Sequence, residues 1–209
     1  MVKKGYLSTY FHYLVHPFYT HELLLDGESD LRRMTVGESL GLSWIFVIIN
    51  GVMRIILINF VIMIYLSLYH DSSSIFDVFD NSDRFLGFYF IILSTILDVI
   101  FYPLFMLFFI QFWEFVLKIF GGALKVENAS DKAAEIMSVA MSSHILTIVP
   151  IFGGFAQKFA SLILMFAGIK KQLNTSTPMA LCILAFPIFI MLGIFCLIML
   201  TYILSLQAV

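Results

Sequence analysis

The chain has 209 residues, 61% of them hydrophobic and 12% charged, with a formal net charge of −2. Soluble domains carry roughly 45–50% apolar and about 25% charged residues, so this composition excludes an ordinary water-soluble enzyme and points to a chain dissolved in a bilayer. The charge balance lacks the basic excess of a nucleic-acid binder, and 16% aromatic residues suit lipid-facing surfaces and interfacial belts.

Residues 1–39 are the most polar part. Leu7, Tyr10, Phe11, Leu14 and Phe18 recur at helical spacing, which predicts a cytoplasmic amphipathic segment, either lying on the membrane surface or packed on the protein's own inner face. Pro17 is placed to start a second short helix that Gly27 ends. Lys3 and Lys4 precede a stretch broken by His12, His16 and Pro17. No cleavable signal peptide is expected, and the first span serves as the insertion signal.

Residues 40–209 are expected to cross the bilayer five times, with spans at about 40–69, 85–120, 136–152, 155–169 and 179–205. The first is interrupted by Asn50, Arg54 and Asn59, and an acidic loop follows with Asp71, Asp77, Asp80 and Asp83. That loop lacks the spacing, glycine and final Glu of a calcium loop. The second run carries Pro103 and is read as one kinked, tilted helix rather than two spans. The third and fourth are short and flank Pro150, Gly153 and Gly154, as a tight hairpin would. The last contains Pro187, Cys182 and Cys196. The two cysteines lie ~21 Å apart on a helix, too far for a disulfide.

With the amino terminus inside, nine of the twelve basic residues fall on the inner side: Lys3, Lys4, Arg32, Arg33, Lys118, Lys125, Lys132, Lys170 and Lys171. The positive-inside rule then places the carboxyl terminus outside. The fold expected is an all-α polytopic bundle.

Several groups could carry chemistry. Arg54 and Asp98 fall near mid-membrane on antiparallel spans, where a charge costs ~2.5–3.5 kcal/mol, so they are expected to touch. The pair reads as an ion or proton path, or as a structural ion pair. Gln111, Glu114 and Lys118 follow one helix face, with Glu114 and Lys118 in the favourable i, i+4 order. His12 and His16, near His21 and Glu22, have a spacing that can share a metal, but no firm third ligand accompanies them. They read as interfacial polar residues. His144 is expected to bond a neighbouring helix. Ser138 with Ser142, and Ala156 with Ala160, form small-residue faces for close helix packing, within a hairpin or between subunits. Asn128 and Asn174 head glycosylation sequons but are expected on the cytoplasmic side. No phosphate loop, zinc motif or nucleophile elbow is present, so no catalysis and no cofactor are expected.

The carboxyl-terminal half resembles the Yip1 domain family, particularly its bacterial branch. The likeness rests on Ser138, Ser142, Ser143 and Ile148-Val149-Pro150, then on Gly168-Ile169-Lys170-Lys171-Gln172-Leu173-Asn174-Thr175-Ser176-Thr177-Pro178-Met179-Ala180. His16-Pro17-Phe18 and Glu22-Leu23 resemble the proline-aromatic segment ahead of that family's first span, and Asp98-Val99-Ile100-Phe101-Tyr102-Pro103 is a loose echo of its Asp-Leu-x-Gly-Pro segment. The resemblance implies a helical membrane protein of trafficking or membrane organisation, acting as an adaptor through helix contacts with protein partners or further copies, in a bacterial inner membrane rather than an endomembrane. The other readings are a small transporter or channel using Arg54 and Asp98, and an accessory subunit of a larger membrane complex.

Overall fold

The computed structural model describes residues 5–26, 31–69, 82–150 and 152–207. Lys3, Lys4, Gly27, Asp71, Asp77 and Asp80 lie outside them. The described residues are helical throughout, with no strand. In chain order they form α1 (Tyr6–Val15), α2 (Pro17–Asp26), α3 (Val36–Tyr69), α4 (Ser82–Ala123), α5 (Ala129–Ala140), a 3-10 segment (Met141–Ile148), α6 (Gly153–Gln172) and α7 (Thr177–Gln207).

Local chemistry fixes several boundaries. Pro17 opens α2, where its missing N–H is no loss. A capping box starts α3: the Glu38 backbone N–H donates to Thr35 Oγ1 at 3.2 Å, and the Thr35 N–H donates to Glu38 Oε2 at 2.9 Å. This moves the helix start to Val36, ahead of the apolar run at Leu40. The turn after α4 uses left-handed conformations at Lys125 and Asn128 (φ 56° and 53°). It brings Gly121 so close to Ala129 that a Cβ on Gly121 would sit 2.8 Å from the Ala129 Cβ. Asn174, at φ 49°, turns the chain from α6 into α7.

Three helices among the described residues are long and apolar enough to cross a membrane: Val36–Ile64, Tyr89–Ala123 and Thr177–Thr201. The second apolar run is a single helix with Pro103 inside it. The predicted third and fourth spans take a different form. Residues 136–152 do not make one apolar helix. Ile136–Ala140 finish α5, and the chain then tightens into the 3-10 segment. Residues 155–169 lie within α6. Of the apolar side chains that suggested lipid contact here, Ile136, Met137, Val139, Leu164, Met165 and Ile169 are buried in the protein's own core, while Phe152, Phe155, Phe159, Leu162 and Ile163 are exposed.

That core is built around one stretch of α3. Ser138 of α5 donates to the Met34 carbonyl at 2.9 Å and lies 2.6 Å from Ser39 Oγ. Its small-residue face is thus spent on an internal contact. Tyr10 of α1 stacks on Phe46 with ring centroids 5.7 Å apart. Phe18 of α2 meets Phe166 of α6 edge-on. On α1, Tyr10 and Tyr13 are buried while Leu7, Phe11 and Val15 are exposed, so the predicted apolar face is divided between core and surroundings. Beyond the core, the exposed residues include Phe60, Val61 and Met63 on α3, Phe90 and Leu93 on α4, and Ile188 to Leu200 of α7 after Pro187. Both cysteines are free and exposed on α7.

Candidate functional site

The polar groups of the membrane-spanning region converge where α3, α4 and the 3-10 segment meet. Gly51 sets the spacing of the first two: a Cβ there would lie 3.1 Å from Val99 Cγ2 and 3.3 Å from Thr95 Cγ2. The close antiparallel approach puts Arg54 Nη1 3.7 Å from Asp98 Oδ2. Their side chains keep 46% and 68% of their accessible surface, so the pair lies on the outside of the bundle rather than in a sealed channel.

Backbone irregularities account for the polar residues nearby. In hydrocarbon, every freed N–H or C=O needs a partner within the protein. Pro103 has no N–H to give the carbonyl four residues earlier, which is that of Val99. The Trp44 indole N–H donates to this oxygen at 2.8 Å. Tyr102 Oη, next to Pro103, donates to Ser43 Oγ at 2.8 Å. At the far end of the 3-10 segment, the Thr147 carbonyl accepts from Asn50 Nδ2. At its start, the Met141 carbonyl accepts from Tyr10 Oη and, at 3.0 Å, from His144 Nδ1. Asn59 donates to Ile55 in its own helix at 2.8 Å.

A carbonyl can only accept, so the His144 proton sits on Nδ1 and its Nε2 is an acceptor. Gln157 Nε2, 3.3 Å away on α6, supplies the donor. His144 thereby links the 3-10 segment to α6, and its ring meets Tyr102 edge-on at 5.5 Å.

Two cavities flank the 3-10 segment. One of about 430 Å³ is lined by Asn50, Arg54, Leu57, Ile58, Thr147, Val149, Pro150 and Gly154. It reaches Arg54, but Asp98 is not among its walls. The other, of about 390 Å³, lies between α4, α5, the 3-10 segment and α6, with His144, Gln157 and Lys158 in its lining.

Other predicted residues lie apart from this centre. Lys118 Nζ is 3.4 Å from Glu114 Oε2, and Gln111 is exposed on the same helix. The rings of His12 and His16 are 5.1 Å apart. Among the described residues no group of three His, Cys, Asp or Glu side chains comes together to hold a metal.

One polar cluster escaped sequence reasoning. At the charged base of the bundle, Gln172 Nε2 lies 3.2 Å from His21 Nδ1 and donates to Glu135 Oε2 at 2.9 Å, while Arg33 Nε is 3.7 Å from Glu135 Oε1. Lys171 and Glu22 form an ion pair beside it. Burial lowers the pKa of His21 to about 4, against a weaker opposite pull from the Leu164 backbone. Desolvation likewise raises Glu135, against its bond to Gln172 and the charge of Arg33. The pairing of residues 21 and 172 has no local signature, because it depends on α2 packing against α6.

Comparison with family models, with curated proteins and with solved structures finds no match.

Proposed function

We propose that this chain is a non-enzymatic integral membrane protein of the Yip1 type, which organises the bilayer and anchors partner proteins in it. One observation carries the reading. α5 and the 3-10 segment pack on α3, α6 packs on both of them and on α2, and Tyr10 of α1 reaches Phe46 of α3, whereas α3, α4 and α7 extend beyond this cluster with exposed apolar sides. A protein broad at one end and narrow at the other displaces more lipid from one leaflet than from the other, and so favours curved membrane. The exposed Leu7, Phe11 and Val15 of α1 add apolar surface at the broad end.

The orientation follows from charge. Lys132 lies near the start of α5 and Lys170 and Lys171 in the last turn of α6, so the hairpin starts and ends on one side. Whether it crosses completely, for five spans, or turns back inside the bilayer, for three, the termini lie on opposite sides. The positive-inside rule supports a cytoplasmic amino terminus and an outer carboxyl terminus, and the Yip1-type reading carries with it a bacterial inner membrane.

Reconstitution at increasing protein-to-lipid ratio tests the reading by cryo-electron microscopy of the vesicles. Vesicle diameter should fall with protein content, and less steeply when Leu7, Phe11 and Val15 are replaced by Ser. Diameters independent of protein content would defeat the reading.

The cavity that reaches Arg54 favours a second reading, a small ion, proton or solute carrier. Flux into proteoliposomes that both Arg54→Ala and Asp98→Asn abolish, with folding intact, would establish it in place of the first.

A further inference from the structure

The cavity between α4, α5, the 3-10 segment and α6 joins two kinds of surface. Its apolar walls include Met106, Phe109, Trp113, Met137 and Met165. Flexible thioethers and flat rings of this kind fit an alkyl chain without fixing its conformation. Its volume of about 390 Å³ lies within the range of small-molecule sites, which are mostly apolar with a few placed polar groups.

The polar rim offers a donor. With the proton of His144 committed to Met141, the ring nitrogen facing Gln157 accepts, so the Gln157 amide is held with its NH₂ toward His144 and Ser143, and the donor left for a ligand is the neighbouring ammonium. That ammonium belongs to Lys158, with Ser161 one turn further on. Lys158 is exposed among Phe155, Phe159 and Leu162, which are also exposed, a surrounding that suits lipid and not water. Among the described residues it forms no ion pair, whereas Arg54 has Asp98. An ammonium group in hydrocarbon is costly unless an anion accompanies it. Phe109 and Leu162 of the lining are exposed as well, so the cavity opens sideways to the bilayer and a lipid chain can enter without crossing water.

We propose that this cavity binds one anionic amphiphile from the membrane, its alkyl chain lying among the Met and aromatic side chains and its acidic headgroup meeting Lys158. A carboxylate and a phosphate headgroup share the required chemistry. The proposal needs only a membrane-embedded chain and is independent of the organising role.

The test uses the full chain in phosphatidylcholine nanodiscs and a photoreactive diazirine fatty acid, with labelled residues located by peptide mass spectrometry. Labelling should saturate and concentrate on Met106, Phe109, Trp113 and Met165. Lys158→Gln should raise the half-saturating concentration about tenfold, the equivalent of ~1.4 kcal/mol, and Lys158→Arg should leave it near wild type. Ser161→Leu, which fills the cavity and keeps the charge, should abolish the saturable part. Competition by oleate alone would identify a carboxylate ligand, and competition by phosphatidylglycerol alone a phosphate ligand. Oleyl alcohol competing as well as oleate, or Lys158→Gln labelling as wild type does, would overturn the proposal.

Discussion

The Trp44 indole donates to the carbonyl of Val99 at 2.8 Å, the oxygen that Pro103 leaves without a helical partner. A side chain on one span thus completes the backbone of the next. Trp44→Phe should destabilise the protein by about 1–3 kcal/mol, the cost of a carbonyl left without a partner in hydrocarbon. Pro103→Ala returns the N–H, so Trp44→Phe should cost much less in that background. The check is a double-mutant cycle on unfolding in mixed micelles, and purely additive effects would refute the link.

Gly153 and Gly154 are neighbours with opposite tolerance. A Cβ on Gly153 would lie 2.3 Å from the Leu146 carbonyl oxygen, and the obstacle is backbone that cannot swing aside, while a Cβ on Gly154 meets nothing within 4 Å. Gly153→Ala should therefore lose ~3 kcal/mol or more, at the upper end of overpacking costs. Gly154→Ala should be neutral or slightly stabilising by propensity. Melting temperatures in detergent separate the two, and equal shifts would show that the hairpin turn is not as tight as described.

Stability should depend on pH through His21. Its folded pKa is about 4, below an unfolded value near 6.5. Between these limits the unfolded chain binds the extra proton, so stability rises with pH from about 4 to 6.5 and is fully present above. The total comes to about 3 kcal/mol. Glu135, with its pKa raised, acts in the opposite sense: its contribution declines as pH rises through the carboxylate range. Denaturation across this window should show the rise in wild type and lose it in His21→Gln. A wild-type profile that is flat or falls with pH would count against a neutral, buried His21.

The Arg54–Asp98 pair can be tested by exchange. Arg54→Ala or Asp98→Ala alone strands a charge, which costs ~2.5–3.5 kcal/mol at mid-membrane and less where the side chain reaches water. The double exchange Arg54→Asp with Asp98→Arg should recover most of the loss. Expression and thermal stability in detergent report it, and a double exchange no better than either single change would mean that the two side chains act separately.

The long helices were legible because a continuous apolar run needs no partner to declare itself. Their starts were less so: Thr35 and Glu38 extend α3 ahead of its apolar run through a cap that hydropathy does not register. The hairpin was legible as two apolar stretches about Pro150, but not in the way it packs. Burial in a protein core and burial in lipid select the same residues, and Ile136 or Leu164 carries no mark of which surrounds it. Asn50 was marked as a polar intramembrane residue, yet its bond to Thr147 could not be foreseen. That acceptor exists only because the chain changes from α to 3-10 geometry at Met141. His21, Glu135 and Gln172 were hidden for a related reason, since their network joins three elements distant in sequence.

The α5–α6 hairpin buries Ile136, Met137, Leu164 and Ile169 within the protein and hangs its polar groups on α3, which implies an order of assembly. Val36–Ile64 and Tyr89–Ala123 can partition into lipid as each leaves the ribosome, since both precede the hairpin. The hairpin follows them in the chain and completes its polar contacts by docking onto α3, where Asn50 and Ser39 await it. A nascent chain ending at residue 123 should therefore insert normally, before any of the hairpin has been made.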